Sequence, residues 1–286
     1  MAQPTAQSIA QRIRASLKAL EPVGATSGDD FVFGDPAAAI DRIVVCRAPT
    51  VAVLKQLPSA GRTLLVTRED PFYWTSDRYG GGSSAFTWSA GLADALKDNP
   101  ITSIKHTLMS ERGVIVYRLS TAWDSAQPSS RSDSLARALG LKPVRGPDVS
   151  TAYAAAPVPT LEALARFSRE RLKVRTIRIC GERTLPVTQL AIMSGLVTLP
   201  RLASALKDPR VDAVIVGETC EWEATPYFQD LNSSGRKLGM VLVGYASSDN
   251  WGLPAVRDFV KAAVPGVTVS AAEDTAEPSW MDQRGA

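Results

Sequence analysis

Short apolar runs alternate with amphipathic segments along this chain, which is the pattern of an α/β protein. Residues 40–46, IDRIVVC, read as a strand, and TVAVLKQLPSAG as a short helix and turn. RTLLVT reads as the next strand. In ITSIKHTLMSERG, Ile101, Ile104 and Leu108 fall at helical spacing and Gly113 supplies a stop. VIVYRLS is a strand running into TAWD, and SDSLARALG is a short helix with a serine start and a glycine end. LEALARFSRERL reads as a helix and VRTIRIC as a strand. LGMVLVG, LPAVRDFVKAAV and GVTVSAA then give strand, helix and strand. At the amino end, Ile9, Ile13, Leu17 and Leu20 form one face of an amphipathic helix.

Punctuation divides these elements. DRYGGGSSAF is a Gly/Ser-rich loop. PVRGPDVSTAYAAAPVPT is the best linker candidate. The resulting division is a first lobe over 1–146, a linker over 147–160, a second lobe over 161–272 and a loose tail over 273–286, with interleaving of the lobes left open. A weak internal repeat supports two lobes. IDRIVVCRAPTVAVLKQLPSAGRTLLVTRED can be laid beside VTQLAIMSGLVTLPRLASALKDPRVDAVIVGET, each reading strand, turn, helix, strand and acidic end. Glu69 and Glu218 match in that alignment. Any two βαβ units look alike to some degree, so the repeat stands as an expectation.

Composition narrows the function classes. The chain has 286 residues, 45% hydrophobic and 21% charged, which suffices for two real cores. Its net charge of +3 gives no global case for nucleic acid or membrane partners. No apolar run reaches the length of a membrane helix, and no secretory leader is visible, so a cytoplasmic location is the default. Three cysteines without a CxxC spacing argue against a disulfide framework and a thiolate zinc site. The single histidine, His106, excludes a His-rich metal site. It falls on the helix ITSIKHTLM, and a helix surface is its expected place. Phosphate-loop, dinucleotide, nucleophile-elbow and HExxH motifs are absent. SGRK, residues 234–237, is a basic turn that reads as solvated.

The candidate chemistry sits at strand ends, where α/β sheets bind ligands. Arg68, Glu69 and Asp70 follow RTLLVT, with Trp74 just beyond. Asp124 follows VIVYRLSTAW. Glu218, Glu221 and Glu223 lie in VGETCEWE, and Tyr245 and Asp249 in GYASSD. Each acidic residue also fits the plain role of a helix N-terminal charge, where the dipole favours it.

Five segments carry a family resemblance: FVFGDPAAAIDRIVV, LLVTREDPFYW, ERGVIVYRLSTAWD, VDAVIVGETCEWEA and SGRKLGMVLVGYASSDNWGL. In order and spacing they resemble the Nif-three-like family, also known as dinuclear metal-centre hexameric proteins or type 2 GTP cyclohydrolase I. The resemblance covers nearly the whole chain. It implies two similar α/β lobes with a cleft between them, and a ring-like homohexamer. The family's ligand pattern maps here to Arg68 and Glu69 after the second strand, to Asp124, and to Tyr245 with Asp249. Glu69, Asp124 and Asp249 keep a ligand-capable oxygen, whereas Arg68 and Tyr245 do not replace imidazole.

Two divalent ions side by side need several anionic or imidazole ligands to offset their repulsion. Arg68 places a permanent positive charge among them and pairs well with Glu69, Asp124 or Asp249. The expectation is therefore a diverged member without the dinuclear centre and without a cofactor. Such a protein binds a small anionic ligand through Arg68, with Asp70, Trp74 and Asp124 nearby, or acts as a scaffold. One alternative is a metal-dependent hydrolase or cyclohydrolase of a nucleotide-like molecule. It would hold one or two divalent ions on Glu69, Asp124 and Asp249, with Glu218 or Glu223 moving protons. Another is a metal-free enzyme in which Arg68 orients an anion, Tyr245 donates a proton and Glu69 or Asp249 acts as base.

Overall fold

The computed structural model describes residues 3–18, 29–73 and 98–274. The chain divides into two compact units, one holding the residues up to Gln127 together with Leu253–Asp274, the other Pro128–Gly252.

The first unit begins with helix α1 (Ala6–Lys18), whose Ile9, Ile13 and Leu17 are fully buried as their spacing predicts. Leu20 lies outside the described residues. Strands β1 (Phe31–Phe33), β2 (Arg42–Cys46), β3 (Thr63–Thr67), β4 (Val114–Arg118) and β10 (Thr268–Ala272) form one sheet in the order β1-β4-β3-β2-β10. Only β1 runs antiparallel to its neighbour, so β2, β3, β4 and β10 all end at the same sheet edge. Helix α2 (Val51–Gln56) joins β2 to β3 and is capped by the Thr50 hydroxyl, which accepts from the Val53 amide at 3.2 Å. Helix α3 (Pro100–Glu111) has Pro100 at its first position and Asn99 as its cap. Gly113 follows α3 at φ 57°, the left-handed stop its sequence signals. Strand alternation splits the core in two. Ile43, Val45, Leu64 and Val66 face α1, α4 (Thr121–Ala126) and α10 (Leu253–Ala263), while Val44, Cys46, Leu65 and Val116 pack with Val53, Leu54 and Met109. This is a sheet buried on both faces, which is why Leu64, Leu65 and Val66 follow one another in β3 without a polar residue between them.

The second unit is built on a similar plan. Its sheet has the order β5-β7-β8-β9-β6, from β5 (Ala152–Ala155), β6 (Arg178–Cys180), β7 (Gln189–Val197), β8 (Ala213–Thr219) and β9 (Gly239–Leu242). Strands β7, β8 and β9 are parallel, and the two edge strands are antiparallel to them. On one face Leu190, Ile192, Ile215 and Val241 pack with α5 (Ser130–Ala138) and α6 (Leu161–Leu172). On the other, Met193, Val214, Val216 and Met240 pack with Leu202 of α7 (Leu199–Ala205) and Phe228 of α8 (Glu221–Ser233).

The duplication read from the sequence has a topological counterpart. In each unit three consecutive parallel strands follow an antiparallel strand that pairs with the last of them: β1 beside β4, and β6 beside β9. The boundaries differ from the compositional ones. Residues 128–146 belong to the second unit, the Pro/Ala-rich stretch contains β5, and the last helix and strand return to the first unit. Chain composition cannot tell which sheet a terminal strand joins; β10 is in the first because it pairs in parallel with β2. The Gly/Ser-rich loop and the expected tail beyond residue 274 lie outside the described residues. Among the described residues no helix is long and apolar enough to cross a membrane.

Candidate functional site: arginine–carboxylate pairs at the strand ends

In the first unit the chain leaving β3 turns across the neighbouring strand ends. The Arg68 and Glu69 amides donate to the carbonyls of Cys46 and Arg47, and the Leu119 amide donates to the Thr67 carbonyl at 2.8 Å. The Thr67 hydroxyl reaches the carbonyls of Arg47 and Glu69, both at 3.0 Å. These bonds bring the end of β4 and the first turn of α4 beside Arg68. One guanidinium nitrogen of Arg68 then meets both Asp124 carboxylate oxygens, at 2.7 and 3.0 Å. Its Nε lies 3.7 Å from Glu69. The Arg68 side chain is 17% exposed, against 26% for Glu69 and 42% for Asp124.

Asp70 is buried and serves the turn: its carboxylate accepts from the Phe72 amide at 2.7 Å. Buried Lys105 pins the same turn by donating to the Pro71 carbonyl at 2.6 Å, with its ammonium 4.1 Å from the centre of the Tyr73 ring. Tyr73 holds φ at 67°, an uncommon conformation for a side-chain-bearing residue. Trp74 lies outside the described residues. His106 is exposed on α3 and packs edge-on against Phe33.

Two further arginines flank this pair. Arg47, just past β2, meets Asp274, just past β10, at 2.5 Å. Arg118, ending β4, meets Asp29 at 3.3 Å, and Asp29 also accepts from the amides of Thr121 and Ala122. Successive strand ends of this sheet thus carry guanidinium groups matched to carboxylates. Sequence reading found Arg68 and Asp124 but missed Arg47, Asp274, Arg118 and Asp29, which stand in no motif and are joined only by the fold.

In the second unit Asp249 is fully buried and accepts from Arg131 at 2.8 Å. Arg131 is on α5 and carried no signal in the sequence. Tyr245 is half-buried at the start of α9 (Tyr245–Asp249). A bulge in β7 at Ser194 and Gly195 faces this helix, and the Gly195 amide donates to the Ser248 hydroxyl at 2.9 Å. Glu218 and Glu223 are exposed around buried Cys220. Burial, then Glu223 and Glu218, push the Cys220 thiol pKa up. Glu221 pairs instead with Arg178 of β6.

The family resemblance implies a dinuclear metal centre, and the donor set does not fit one. Hard cations take oxygen ligands at about 2.0–2.6 Å. Arg68 already occupies both Asp124 oxygens, and Arg131 occupies Asp249. Among the described residues no group of three or more His, Cys, Asp and Glu side chains is placed to hold a metal ion.

No protein-family model and no curated protein matches this sequence. Solved structures do match by shape. The hypothetical protein SA1388 of Staphylococcus aureus superposes with a TM-score of 0.69 at 13% identity, covering 98% of this chain and 100% of that one. A Bacillus cereus protein related to NIF3 gives 0.66 at 11% identity, covering 99% and 100%. Reduced HcgD from Methanocaldococcus jannaschii gives 0.59 at 15% identity, covering 94% and 97%. At these identities the likeness establishes the fold: two α/β units built as in the NIF3-related structures.

Proposed function

We propose that this NIF3-fold chain is a metal-free binding protein in which arginine side chains supply the positive charge at the strand ends. Its ligand is a small anion that takes the place of Asp124 on Arg68. The observation supporting this reading is the contact of both Asp124 oxygens with the Arg68 guanidinium. A ligand carboxylate or phosphate can copy that geometry. Asp124 is the more exposed partner, and a partly exposed ion pair is weak, on the order of 0–1 kcal/mol, so the exchange costs little. Without an occupant, the same pairs fit a scaffold role.

Titration with inorganic phosphate and with acetate tests this reading. Asp124→Asn should bind the anion more tightly than wild type, because an internal competitor is removed. Arg68→Ala should abolish saturable binding. Equal binding by wild type and Arg68→Ala would contradict it. The ring assembly implied by the family resemblance is carried as part of the proposal, and a monomeric mass by light scattering would remove it.

A further inference from the structure

A second groove lies wholly within the second unit and shares no residue with the Arg68 site. It encloses about 400 Å³ between edge strand β6 and helix α8. That is within the range of small-molecule sites, roughly 300–1,000 Å³. Glu221, Thr225 and Gln229 line one wall, spaced four residues apart so that one stripe of α8 faces inward. Arg178, Cys180 and Gly181 line the other wall, with Ile179 and Leu242 completing the lining. Gly181 holds φ at 117°, and a Cβ there would come within 2.7 Å of the Leu238 carbonyl oxygen, so position 181 has to be glycine.

The charged groups lining the groove are one guanidinium and one carboxylate, and they pair with each other across it. Their side chains are 53% and 52% exposed, so water screens the pair and parting it costs little. A ligand with one charge would engage one of the two and leave the other to water. A ligand with both charges replaces the pair without loss. We infer that this groove binds a small zwitterion, a free α-amino acid, whose carboxylate meets Arg178 and whose ammonium meets Glu221. The Thr225 hydroxyl and Gln229 amide supply further hydrogen bonds to the ligand, and Ile179 and Leu242 offer apolar contact.

The test is calorimetric titration of the full chain with each neutral L-amino acid singly. The best binder is then compared with its deaminated acid and its decarboxylated amine. The inference expects saturable binding by at least one amino acid, weakened about tenfold or more in either one-charge analogue. Arg178→Gln and Glu221→Gln should each weaken it comparably, and Arg68→Ala should leave it unchanged. Both mutated side chains are half-exposed, so the variants keep the fold. Bound amino acid should also slow alkylation of Cys180, read by peptide mass. The inference is overturned if no neutral amino acid binds saturably, if an analogue with one charge binds as well as its parent, or if the Arg178 variant binds like wild type.

Discussion

Arg131 and Arg68 each hold a carboxylate, but their surroundings set different energies. The Arg131–Asp249 pair is almost fully enclosed, with side chains 9% and 0% exposed. Removing one partner takes the facing counter-charge from a buried ion. Asp249→Ala should therefore cost about 3–5 kcal/mol in urea unfolding. Arg68→Ala breaks a partly solvated pair and should cost no more than about 1 kcal/mol. Equal effects in the two variants would contradict this ranking. Cys46 offers a chemical check on the first unit. Burial, only partly offset by a hydrogen bond with Thr67, pushes its thiol up to about 12. Iodoacetamide should leave it unmodified in the native protein and label it only after unfolding. At this scale the sequence exposes residues that break a pattern. Arg68 stands out because it follows an apolar strand at a position where the family resemblance calls for imidazole. Arg131 does not stand out, because a lone arginine in a Ser-rich helix start looks solvated until the fold encloses it.

Elements were legible where periodicity and caps agree. Strands β2, β3 and β4 and helices α1, α3 and α6 lie where short apolar runs, helical spacing and the Gly113 stop place them. Strand β5 was not legible. Its sequence AYAA has no β-branched residue and lies in a Pro/Ala-rich stretch, and its pairing with β7 gives it strand geometry. The turn before it is held by Asp148, whose carboxylate accepts from Ser150 and Thr151. Burial raises the Asp148 pKa, but hydrogen bonds from Thr151 and Ser150 outweigh it, and the pKa lies below the ordinary 3.8. Asp148 thus contributes stability that is complete above 3.8 and lost as the pH falls through the lowered value. Asp148→Asn should flatten the loss of stability below about pH 4, and an unchanged slope would refute this role. Gly217 shows how closely the strand ends approach. A Cβ there would sit 2.2 Å from the Ser248 hydroxyl and 2.5 Å from the Gly195 carbonyl oxygen. Gly217→Ala should lower the melting temperature by several degrees, as overpacking costs on the order of 1–3 kcal/mol.

For the whole molecule, the architecture is two three-layer α/β units that share three parallel strands and one antiparallel edge strand and differ at the other edge, where β10 is parallel and β5 antiparallel. The β2–α2–β3 and β7–α7–β8 repeat was visible in the sequence because both copies keep strand, small turn, helix and strand. Of the matching antiparallel strands, β6 was visible at the end of VRTIRIC, whereas β1 was not, being three residues long and too short to carry a period. The return of β10 to the first sheet leaves no local mark either. What ties the account together is charge. Carboxylates that the family resemblance makes into metal ligands are each faced by a guanidinium in their own unit. The most direct test is elemental analysis of the full chain purified without chelator and without added metal. The account predicts metal far below one ion per chain, unchanged after incubation with zinc, iron or manganese and desalting. Near-stoichiometric zinc, iron or manganese bound to the folded protein would contradict it.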